Sequence, residues 1–187
     1  MSDDVIKKTF LKMAGQVCWE IYCGQFGLSF NAGNPRLVVH CCKTDPVRDR
    51  RIRQFTGIKA EWNFWVLHAY WKLTVLSADG KKEMTAISSS SYKQPSPACR
   101  LLNGQRLTCV DIDHKTGKTV LGFDLGAELS IRRWEADGND LWSLAKPNGY
   151  FLKVHGDGTY SHNPGSGIDK RPAVHNRPLH KPIQIGR

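Results

Sequence analysis

A chain of 187 residues, 40% hydrophobic and 24% charged, is long enough to bury a core without metal or disulfide staples and has the composition of a folded globular protein. Its formal net charge of +10 points toward an acidic partner, and the balance of residues excludes a chain that is disordered throughout. No apolar run reaches the length of a membrane span or an export signal, so the expectation is a cytoplasmic protein whose six cysteines are reduced thiols, used mainly as small buried hydrophobes.

Residues 3–13 space Val5, Ile6, Phe10 and Met13 along one side of a helix. A turn at Ala14-Gly15-Gln16 leads into a strand containing Ile21 and Cys23, and a second strand, Leu28 to Ala32, ends at Gly33, where a tight reversal calls for positive φ. Leu37-Val38-Val39 reads as a third strand. Asp45 as cap and Pro46 at the first position then predict a short inserted helix through Phe55, with Arg48, Arg50, Arg51 and Arg53 on its polar face. The aromatic run Trp62 to Trp71 alternates as one central strand covered on both sides, with Trp65, Leu67 and Ala69 on one face. Ser88 to Pro97 reads as a connector.

After the connector the pattern returns. Asn103-Gly104-Gln105 lies over Ala14-Gly15-Gln16, Val110 and Ile112 over Ile21 and Cys23, Leu121 and Phe123 over Leu28 and Phe30, and Leu129-Ser130-Ile131 over Leu37-Val38-Val39. Trp142-Ser143-Leu144 echoes Trp71-Lys72-Leu73. The expected fold is therefore mainly β (α+β): two repeated antiparallel β-meander units, one N-terminal helix and one helix inserted in the first unit. Residues 1–97 form the first unit and 98–161 the second, packed as one compact domain, and 162–187 form a basic, proline-rich tail of extended or disordered character. That tail carries nearly half of the excess charge: Lys170, Arg171, Arg177, Lys181 and Arg187 against Asp169.

Catalytic and metal chemistry find little support in these spacings. His40-Cys41-Cys42 brings ligand and nucleophile types together, but adjacent strand residues face opposite ways and no second ligand pair follows. Gly156-Asp157-Gly158 and Gly165-Ser166-Gly167 lack the helix and lysine of a phosphate loop. The seven histidines come with no nucleophile and acid at recognisable spacing. No enzyme, cofactor or metal is expected. The candidate contact residues are Arg48, Arg50, Arg51 and Arg53, since clustered guanidinium groups grip carboxylates or phosphates and this helix has no counterpart in the second unit. A solvated helix face is the plainer alternative.

The recurring Gly-Gln turn, F-x-x-G reversal, L-x-[VI] strand, W-x-L strand and D-G turn, over roughly residues 11–160, resemble small bacterial β-rich proteins found beside polymorphic toxins, some of them immunity-like. That resemblance implies a cytoplasmic, non-enzymatic protein that neutralises a cognate toxin by binding it. A basic chain suits a toxin with an acidic surface. The rival expectation is a nucleic-acid or other polyanion binder using the arginine cluster and the basic tail.

Overall fold

A computed structural model of the chain describes residues 4–24, 27–42, 53–77, 79, 81, 83–88, 97–134, 138–165 and 174–186. The first helix, α1 (Asp4–Met13), forms where the apolar periodicity placed it, with Ile6, Phe10 and Met13 fully buried. A second, unanticipated helix, α2 (Pro97–Leu102), starts at a proline, whose missing N–H costs nothing at a first helical position. It buries Ala98, Cys99 and Leu102.

Strands β1 (Cys18–Gly24), β2 (Gly27–Ala32) and β5 (Trp62–Val66) pair in turn with β11 (Asp140–Ala145), β12 (Tyr150–His155), β13 (Thr159–Pro164) and β14 (Val174–Pro178) to make a seven-stranded sheet. A six-stranded sheet runs β15 (Ile183–Ile185), β8 (Leu107–Ile112), β9 (Thr119–Phe123), β10 (Glu128–Arg133), β6 (Ala69–Leu76) and β7 (Glu83–Ile87). Each sheet is thus built from both halves of the chain: β6 joins β10, and β11 joins β5.

The two meanders begin side by side. Gly15 donates to Leu107 O and Leu107 to Gln16 O, while Gly104 donates to Cys18 O and Cys18 to Gln105 O, around a bridge between Val17 and Arg106. Gly15 and Gly104, at φ 79° and 93°, occupy the left-handed region that lets the chain turn here from helix to strand. Gly33 and Gly126, at φ 80° and 82°, make the expected reversals.

Between the sheets lies one continuous core. Phe30 of β2 meets Phe123 of β9 edge-on at 6.1 Å, and Phe64 stacks on Trp142 at 5.3 Å, with Phe10 of α1 edge-on to Trp142. The Trp142 indole N–H crosses between the sheets to donate to Thr119 Oγ1 at 2.8 Å, so the buried ring leaves no orphaned donor.

Several expectations fail for identifiable reasons. The aromatic run is two strands: His68, at φ 34°, breaks it, so Phe64 and Val66 point inward from one sheet and Ala69 and Trp71 inward from the other. Arg53 and Phe55, expected at the end of the inserted helix, belong instead to a strand, β4 (Arg53–Lys59), which pairs with β3 (Arg36–Cys42); Asp45 to Ile52 lie outside the described residues. The match of Leu37 to Val39 with Leu129 to Ile131 also fails as a structural match. Leu129 and Ile131 are buried in the six-stranded sheet, whereas β3 and β4 form a separate hairpin. Finally, residues of the basic C-terminal stretch pair with both sheets, as β14 on β13 and β15 on β8, with Ile183 and Ile185 buried.

Candidate functional site

Among the described residues, the β3–β4 hairpin pairs with neither large sheet. Its register sets Leu37 opposite Ile58 and Val39 opposite Thr56, which brings these side chains to one face. That face is open: Leu37 is 76% exposed, Val39 60% and Ile58 63%. Arg53 begins β4 opposite Cys42, at the far end of the hairpin from Arg36 and Lys59. Arg48, Arg50 and Arg51 fall between the paired ends Cys42 and Arg53 in sequence and lie outside the described residues. Of the predicted contact cluster, the described residues therefore include Arg53 alone, at the start of a strand where a helix was expected.

At the foot of the hairpin a cleft of about 620 Å³ opens over the outer face of the seven-stranded sheet. Ile58, Lys59, Ala60 and Glu61 form one wall. Its floor comes from β5 and β12, where Trp65 and Phe151 lie nearly parallel, 18° apart, with ring centroids 6.2 Å from each other. Small residues on β11 allow this, because Ser143 pairs with Trp65 and Ala145 with Phe151, leaving the space above that strand for the two rings.

Beside the rings runs a polar chain. Asn63 donates through Nδ2 to Asn31 Oδ1, and Asn31 donates through Nδ2 to Glu20 Oε2 at 2.6 Å. Asn31 is 93% buried, being 7% exposed, and Asn63 Oδ1 is buried without a hydrogen-bond partner among the described residues. An unpaired buried carbonyl costs about 1–3 kcal/mol. Glu20 sits at φ 51°, within a register shift of β1 between Trp19 and Tyr22. A non-glycine residue in this region is held there by its surroundings at a cost of roughly 1–3 kcal/mol, and such strain clusters at binding and catalytic sites. Sequence patterning missed this group because it assembles from three strands; the only sign was Asn31 and Asn63 placed among apolar strand residues.

A second polar group lies on β11, β12 and β13. His155 Nε2 is 2.8 Å from Ser161 Oγ, and His155 Nδ1 is 2.8 Å from Asp140 Oδ1, with Lys153 Nζ 2.5 Å from Asp140 Oδ2. The order serine, histidine, aspartate is that of a nucleophile relay. Three features deny it that role. Ser161 is 4% exposed and His155 6%, so no substrate reaches the hydroxyl. The Nδ1 contact is close but not an aligned hydrogen bond, as a relay needs for its tautomer. Asp140 is shared with Lys153. Its carboxyl is pushed down to about 2, chiefly by the His155 ring and then by Lys153, against the opposing effect of burial. The group is a brace across three strands.

Lys146, on the cleft rim, turns its Nζ to His162 Nε2 at 3.1 Å. Burial and the charge of Lys12 lower the Lys146 pKa, and burial with the Lys146 charge takes His162 down to about 4. Among the described residues, no three histidine, cysteine, aspartate or glutamate side chains gather to hold a metal ion. The cysteines depart from expectation: Cys23 of β1 and Cys99 of α2 form a disulfide. Cys18 does remain a thiol, and burial together with Asp124 pushes it up to about 12, which removes it as a nucleophile. No helix among the described residues is long and apolar enough to cross a membrane. The chain matches no protein-family model, no curated protein and no solved structure.

Proposed function

We propose that this chain is a non-enzymatic binding protein that grips a partner protein with its β3–β4 hairpin, the partner being a bacterial toxin with an acidic surface. The observation that carries the reading is the open apolar face of Leu37, Val39 and Ile58 on an element outside both sheets. Apolar side chains gathered on one projecting face contribute little to their own fold and a great deal when a partner covers them. Arg48, Arg50, Arg51 and Arg53 in the same segment supply the charge that steers an acidic surface toward that face.

The proposed location is the cytoplasm, where such a toxin would act on the cell that makes it. The Cys23–Cys99 bond pulls the other way, because disulfides persist in oxidising compartments. Alkylating the thiols at the moment of lysis decides between the two.

Co-expression with the product of the adjacent gene tests the function itself. A complex that survives gel filtration at roughly micromolar concentration, and is lost in Leu37→Glu/Ile58→Glu, supports the reading. Failure to associate removes it. Binding to random DNA or RNA that weakens steeply with salt and depends on the four arginines would replace it with the polyanion reading.

A further inference from the structure

We propose that the cleft over the seven-stranded sheet is a binding site for a short neutral saccharide, a function separate from the hairpin contact. A sugar ring has an apolar C–H face and a rim of hydroxyls that both donate and accept, and the cleft offers a complement to each. Trp65 and Phe151, nearly parallel at 18° with centroids 6.2 Å apart, give the cleft an aromatic lining. Along its edge, Asn63 Oδ1 is a buried acceptor with no partner among the described residues, and the Asn31 carboxamide and Glu20 carboxylate extend the polar rim. A ligand hydroxyl donated to Asn63 Oδ1 would satisfy an acceptor that the described residues leave unmet. An aromatic floor with a few convergent polar groups is the usual form of a small-molecule site, and about 620 Å³ accommodates two to three sugar units.

The charges favour a neutral ligand over a nucleotide. Glu20 and Glu61 in the lining face Lys59 and Lys146, so the cleft presents no net cation to a phosphate. Lys146 is further engaged with His162 Nε2. The backbone of Glu20, in the left-handed region at φ 51°, is the geometry that brings its carboxylate to Asn31 rather than along the edge of β1.

Isothermal titration of the full-length chain with cellotriose, maltotriose and tri-N-acetylchitotriose tests the assignment. One of the three is expected to bind with Kd of about 1 mM or tighter, and Trp65→Ala or Phe151→Ala to weaken it at least about tenfold. Leu125→Ala, on an exposed turn of the other sheet, should leave it unchanged, and a urea melt of each variant confirms folding. Silence from all three sugars up to about 10 mM overturns the proposal, as does binding that survives both aromatic substitutions. Nucleoside 5′-monophosphates serve as the opposing probe. If they bind through Trp65 while the sugars do not, the saccharide assignment is wrong. The two tests stay separable: the hairpin's uses a protein partner, and Trp65 and Phe151 lie on β5 and β12 outside the hairpin, although Ile58 lines the cleft as well as the open face.

Discussion

The sandwich and the β3–β4 hairpin are both antiparallel strands with apolar residues in alternate positions, yet they spend those residues differently. In the sandwich, Phe30, Phe64, Leu121 and Leu144 face across to a second sheet and are almost fully buried. In the hairpin, Leu37, Val39 and Ile58 face outward. Alternation along a strand specifies only that one face differs from the other; the sheet opposite decides whether that face becomes core. A strand pair with no sheet opposite keeps its apolar face for something else.

The same substitution made in both places gives the widest separation between them. Leu144→Ala removes side-chain bulk from the closed core and should cost about 2–5 kcal/mol of unfolding free energy, against less than about 0.5 kcal/mol for Leu37→Ala, both read from urea denaturation. Equal losses would mean that the hairpin is folded into the sandwich. Next in size is the disulfide. Cys23 and Cys99 are separated by 76 positions, and closing so long a loop restricts the unfolded chain, so Cys99→Ser should lower stability by roughly 2–4 kcal/mol. Wild type assayed with and without reductant should show the same gap, and no gap would mean that the bond does not contribute.

Smaller still is the acid limb of the stability curve, to which two groups of the sandwich contribute. His162 is depressed from 6.5 to about 4, so the folded state resists its protonation; stability from this group is full above pH 6.5 and falls as the pH drops toward 4. Asp140, depressed from 3.8 to about 2, adds a second loss as the pH falls from near 4 toward 2. His162→Gln should flatten the upper part of that limb in urea midpoints measured between pH 7 and pH 4 and leave the lower part in place. An unchanged profile would show that the ring titrates normally in the fold.

How much of this was legible in the chain depended on how local the cause was. Helix α1 and the reversals at Gly33 and Gly126 follow from spacing and from backbone freedom within a few residues, and they stand where expected. The break at His68 did not show, because apolar alternation continues across it and only the passage of the chain from one sheet to the other reverses its faces. The helix expected from the Asp-Pro start ran to Phe55, but Phe55, Thr56 and Ile58 suit a strand and found a partner in β3. The Cys23–Cys99 bond and the Glu20, Asn31 and Asn63 group were out of reach for a further reason. Each joins positions remote in sequence, and a polar residue in a strand looks the same whether it faces water or lines a cleft.

The division between a closed scaffold and an open hairpin is tested most directly by titrating the adjacent gene's product with wild type and with Leu37→Glu/Ile58→Glu by calorimetry. The account predicts that the double variant keeps the wild-type urea midpoint and binds about a hundredfold more weakly or not at all. A stable complex of wild-type affinity with that variant would contradict it.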